Sequence, residues 1–122
     1  MLTDAAYSRF VTPGQKPGFV VVGLDRTPFC GGRSQQAPKG RVTISVGRLV
    51  INANHQPSMG KVEHTVFKIL PNCAERDVRI PVGPPPWRVQ VHLNGTFVPS
   101  EWTDSPDSRT LGARIGFRYA AR

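Results

Sequence analysis

Trp87-Arg88-Val89-Gln90-Val91-His92-Leu93 alternates without a break. Trp87, Val89, Val91 and Leu93 fall on one side and Arg88, Gln90 and His92 on the other. A side-chain period of two belongs to a β-strand with one face buried and the other wet. Immediately after it, Asn94-Gly95 is a turn of the type that needs positive φ, with Thr96–Val98 as a candidate short return strand. Before it, Pro84, Pro85 and Pro86 form a stiff extended bridge.

The same alternation recurs on both sides of this strand. Ala113–Tyr119 (ARIGFRY) sets Ala113, Ile115, Phe117 and Tyr119 against Arg114, Gly116 and Arg118. Arg76–Val82 alternates through Val78, Ile80 and Val82, and Pro81 marks it as an edge strand or strand end. Arg41–Ile51 points Val42, Ile44 and Val46 one way and Thr43 and Ser45 the other, until Gly47 interrupts it as a candidate bulge. Phe19–Leu24 (FVVVGL) is a continuous apolar run, the mark of a buried strand. Lys61–Leu70 is β-rich but of mixed period, which leaves a short helix open there. Leu2–Phe10 reads as a helical turn or a loose lead-in.

Six or seven strands and no long amphipathic helix predict an all-β fold. Half-wet strands imply antiparallel pairing, and two such sheets face to face bury both apolar sides. The expected architecture is an antiparallel two-sheet sandwich, jelly-roll-like, with residues 1–122 forming one domain or a piece of a larger protein. The length of 122 residues suits one core. Twelve Gly and twelve Pro break helices and favour short strands joined by turns.

The formal net charge is +8, and twelve of the sixteen cations are Arg. Such a field draws polyanions, whether nucleic acid, anionic lipid or acidic polysaccharide. Phe117 and Tyr119 are expected to point inward and no RNP-like motif is present, which disfavours a nucleic-acid platform. The longest apolar run, Phe19–Val22, falls far short of the roughly 20 residues a spanning helix needs. Met1–Phe10 contains Asp4 and no apolar core of signal-peptide length. A cytoplasmic domain and a piece of an exported or membrane protein both remain open at this point.

Cys30 and Cys73, if paired, close a loop of about 44 residues, worth on the order of 4 kcal/mol in the chain-entropy model. Pairing suits an oxidising compartment, and two separate thiols are the alternative. Their spacing does not fit a zinc site. The histidines His55, His64 and His92 share no catalytic motif, and there is no GxSxG, HExxH, P-loop or GxGxxG. The expectation is a non-enzyme with no metal and no cofactor.

Binding chemistry is more visible. Trp102 lies in a polar loop between Glu101 and Asp104, where an aromatic face beside acceptors suits a glycan; folding back to cap the sandwich is the competing role. If their strands are neighbours, Arg88, Gln90, His92, Arg114 and Arg118 form a basic platform whose Arg groups could fork onto carboxylate, phosphate or sulfate oxygens, an ordinary solvated strand face being the alternative. Asp107–Gly112 (DSRTLG) reads as a structural clasp. Arg109 would pair with Asp104 or Asp107, Leu111 would plug the sandwich end, and Gly112 would allow a tight strand entry.

Phe97-Val98-Pro99, followed by Asp107-Ser108-Arg109-Thr110-Leu111-Gly112 and a short hydrophobic strand, resembles the ends of β-sandwich accessory domains. Such domains accompany bacterial envelope glycosyltransferases and related polysaccharide-assembly proteins. The likeness, of the form FVP…DxRxLG, covers the chain from Trp87 on. It implies a jelly-roll-like sandwich, a non-catalytic role beside a glycan-handling enzyme such as a larger membrane glycosyltransferase, and an extracytoplasmic, cell-envelope position. It transfers no catalytic residue. The functional expectation is therefore a carbohydrate-associated module that binds a glycan or acidic polysaccharide. A structural or protein-interaction sandwich and a basic nucleic-acid binder are its rivals.

Overall fold

The computed structural model describes residues 3–11, 16–27, 30–32, 36–102 and 111–121. Its strands are β1 (Asp4–Arg9), β2 (Gly18–Asp25), β3 (Gly40–Ile51), β4 (Pro57–Leu70), β5 (Glu75–Val82), β6 (Trp87–Asn94) and β7 (Arg114–Ala121). A single turn of helix, α1 (Pro99–Trp102), precedes β7. Two antiparallel sheets result, one of order β1-β6-β3-β4 and one of order β5-β2-β7. Among the described strands only the β3–β4 connection stays within one sheet; every other passes across the sandwich. That repeated crossing makes the fold jelly-roll-like.

Alternation positions the core. Val42, Ile44 and Val46 of β3 and Val89, Val91 and Leu93 of β6 face Val20, Val22 and Leu24 of β2 and Val78, Ile80 and Val82 of β5, all buried. Trp87 is 4% exposed and closes one end of this core with Tyr7, Phe117 and Tyr119. Tyr7 stacks on Phe117 at 5.6 Å and meets Trp87 edge-on at 5.5 Å. Pro81 lies on β5, an edge strand, where a missing N–H costs no ladder bond.

Two local expectations change, those for Leu2–Phe10 and for Asn94-Gly95, and the β reading of Lys61–Leu70 holds over the short helix left open there. In the lead-in Leu2–Phe10, whose Leu2 lies outside the described residues, Asp4–Arg9 is not helical: it pairs in register with β6, Asp4 opposite His92 and Arg9 opposite Trp87. Pairing with a strong neighbour supplies the order its own composition lacks. Lys61–Leu70 is wholly strand, its register with β3 broken by a bulge at Gly47. Asn94-Gly95 does not turn β6 back on itself. Gly95 does take positive φ, 82°, but a Cβ there would collide with the Lys39 carbonyl. The chain runs on past that contact, and Phe97 forms only an isolated bridge with Leu111.

The chain leaving β2 is fixed by Asp25, whose Oδ1 accepts from the Thr27 N–H at 2.7 Å and from the Thr27 hydroxyl at 2.6 Å. The Thr27 hydroxyl bond lowers the Asp25 pKa, with smaller help from the backbone bond and Arg114 and against some desolvation. A lowered folded-state pKa means that the ionised form stabilises the fold. That contribution is complete above the ordinary carboxylate value and is lost as pH falls through the lowered one. Thr27→Ala should raise the Asp25 pKa towards its ordinary value, read by carboxyl-carbon NMR titration. An unchanged titration would show that the hydroxyl has no such effect.

Candidate functional site

The outer face of the four-stranded sheet is built by the residues that alternate with the core. Its rows follow from the register. Asp4, His92, Thr43 and Phe67 lie side by side across β1, β6, β3 and β4, and Ala6, Gln90, Ser45 and Thr65 form the next row. With strands about 4.8 Å apart, each row spans about 14 Å. Ala6, Thr43 and Ser45 have short side chains, and a groove of about 550 Å³ lies over Asp4, Ala6, Thr43, Ser45, Gln90 and His92.

The groove wall is polar but not strongly charged. Asp4 Oδ1 contacts His92 Nδ1, and both side chains are mostly exposed. Two rows on, Arg88 donates to the Ser8 hydroxyl at 2.7 Å, which holds the guanidinium down on the sheet. Phe67 stands beside Thr43 with 60% of its surface exposed, and Ile69 follows it on the same face. Hydroxyls, a carboxamide, an imidazole and a carboxylate next to an uncovered ring can bond a polyhydroxylated ligand and stack on its C–H surface. Among the described residues no group of three or more His, Cys, Asp or Glu side chains is placed to hold a metal ion.

The residues expected to share one platform are divided. Arg88 and His92 lie on β6 in this face. Arg114 and Arg118 lie on β7, which pairs with β2 in the other sheet. The two pairs therefore occupy opposite outer faces. Trp102 is half-buried against Ala37, Phe97 and Leu111, a small cluster at the end of the sandwich. That packing is the cap role. Cys30 and Cys73 are brought to disulfide distance, with Cα atoms 5.1 Å apart.

Of the clasp, Asp107 and Arg109 lie outside the described residues. Gly112 is buried, and its carbonyl accepts from Arg26 Nε at 2.9 Å. Arg26 is itself 1% exposed. It also donates to the Pro38 carbonyl at 2.7 Å, to Asn72 Oδ1 at 2.8 Å and to the Gly95 carbonyl, with its guanidinium over the Phe97 ring. Leu111 is buried beside Phe97, as a plug would be.

Asp4, Thr43, Ser45 and Phe67 were not legible as site residues. Thr43 and Ser45 carried the outward half of an alternation, which was the available signal. Asp4 needed the β1–β6 pairing, and Phe67 needed the register beyond the Gly47 bulge. Compared with known proteins, the chain matches no family model, no curated protein and no solved structure.

Proposed function

We propose that the domain is a non-catalytic glycan-binding module whose ligand lies across the outer face of the four-stranded sheet. The observation that carries this reading is the groove over Thr43, Ser45, Gln90 and His92, with Asp4 at one end and the exposed Phe67 ring beside it. A sugar needs that combination: many weak hydrogen-bonding groups and one apolar plane. The C-terminal FVP…DxRxLG likeness to accessory domains of envelope glycosyltransferases points the same way, and would place the module outside the cytoplasm beside a larger transferase.

Phe67→Ala and Gln90→Ala test it. Both side chains face solvent, so each variant should keep its stability within about 0.5 kcal/mol. Affinity for an envelope polysaccharide should fall about tenfold, roughly 1.4 kcal/mol, in calorimetric titrations. Wild-type binding that neither substitution weakens would remove the groove as the site.

A second reading, a protein-interaction sandwich, is favoured by β4. This fourteen-residue strand lies at the edge of its sheet and exposes Val62, Phe67 and Ile69. A partner strand added there would bond to backbone. It would be indifferent to Gln90→Ala, which separates the two readings.

A further inference from the structure

On the outer face of the three-stranded sheet, Gly23 of β2 pairs directly with Gly116 of β7. Neither has positive φ. Nor does packing demand them. A Cβ on Gly116 would meet nothing within 4 Å, and one on Gly23 would make an ordinary 3.5 Å contact with Asp77 Oδ1. Glycine inside a strand gives up cross-strand packing and costs backbone entropy. Two of them abreast weaken the sheet with no compensating gain inside the fold. What they do provide is bare backbone that another molecule can approach closely.

Ionic groups surround this floor. It forms the base of a shallow cavity of about 240 Å³ bordered by Val21, Asp77 and Arg118. Arg79 and Arg118 flank Val21 in the neighbouring row. Arg79 is steadied over the Phe19 ring at 4.0 Å. Arg118 lies 3.7 Å from Asp77 with both side chains mostly exposed, a pair that a ligand can rearrange at little cost. Outward-facing Asp25, Glu75 and Asp77 balance Arg79, Arg114 and Arg118. A balanced face repels a chain of phosphates as much as it attracts one. It suits a ligand with one anionic group among neutral hydroxyls.

We infer that the Gly23–Gly116 cavity is a second saccharide site, selective for a uronic-acid unit of an acidic glycan. The ring lies flat on the glycine floor, its carboxylate is forked by Arg118 with Arg79, and its hydroxyls donate to Asp77. The ligand class rests on the glycan-binding reading above, but the site is on the opposite sheet and stands or falls separately.

The test is an amide NMR titration of the whole chain with hexagalacturonate, and with maltohexaose as the neutral arm. The acidic oligosaccharide should shift the amides of Gly23, Asp77, Gly116 and Arg118, and the neutral one should not. Gly116→Val places a good strand former where nothing is crowded, so the melting temperature should hold or rise while hexagalacturonate affinity falls at least tenfold. Arg118→Gln keeps the floor open and should give a similar loss, independently of any effect of valine on folding. Unchanged affinity in both variants would overturn the site. Shifts confined to the Gln90 and His92 face would also overturn it while leaving the groove reading intact. No shift with either oligosaccharide would overturn it together with a role in binding these sugars.

Discussion

Arg26→Met should lower the unfolding free energy by about 4 kcal/mol or more, measured as a shift in the urea midpoint at constant slope. Its guanidinium bonds the carbonyls of Pro38, Gly95 and Gly112 and the side chain of Asn72. Methionine would fill much of the space and leave those buried acceptors with no donor. An unsatisfied buried group costs about 1–3 kcal/mol, and the four acceptors belong to one network, so their losses do not simply add. Arg26→Lys should recover only a small part. A single ammonium cannot reach acceptors spread around a planar fork. Desolvation lowers the Arg26 pKa from its ordinary value to about 10. The group therefore stays charged in both folded and unfolded chains below that value, and the loss should be the same at pH 6 and pH 8. A loss under about 1 kcal/mol would mean that the acceptors find other partners.

Removing both sulfurs, Cys30→Ser with Cys73→Ser, should cost about 4 kcal/mol relative to the oxidised protein. The two residues are 43 apart in sequence, so the link withdraws much freedom from the unfolded chain. Reductant should reproduce the effect in the native sequence and leave the serine variant unmoved. An oxidised protein no more stable than the serine variant would show that the pair is not joined. The effect should also couple to Arg26. Asn72 and Ala74 flank Cys73, and the first accepts from the Arg26 guanidinium while the carbonyl of the second accepts from the Arg26 N–H at 2.9 Å. Once the arginine is gone, loss of the sulfurs should cost less than it does alone, because both act on the same junction.

Arg26 is also where sequence reasoning had least to work with. Periodicity finds residues that face an apolar core, which is why β3, β5, β6 and β7 were legible; β2 was legible from its unbroken apolar run, and the sandwich with them. An arginine buried by carbonyls 12, 69 and 86 residues away leaves no periodic trace. The same limit governs the site. Arg88 and Arg114 each sit on the polar side of a clean alternation, and nothing local tells which sheet a strand will join. Pairing places β6 beside β1 and β3, and β7 beside β2. The strand Asp4–Arg9 has few residues of high β propensity and becomes a strand because β6 offers an open edge. In β4 the inward positions opposite Val42, Ile44 and Val46 are Lys68, Val66 and His64. Lys68 and His64 are exposed there, so the usual apolar rhythm is absent although the strand is regular.

Pairing at long range has a consequence for biosynthesis. Gly18 lies opposite Ala121, and Asp4 opposite His92. At ordinary translation speeds of about 5–20 residues per second, β2 emerges roughly 5–20 seconds before β7 exists to cover its edge. Until β5 is made, a little past halfway through that delay, the run Val20-Val21-Val22 is a sticky nascent segment with neither neighbour in place, and until β7 follows one edge of β2 stays bare. Pairing between such distant segments leaves apolar strand edges uncovered for longer than the local contacts of a helical domain of equal length would.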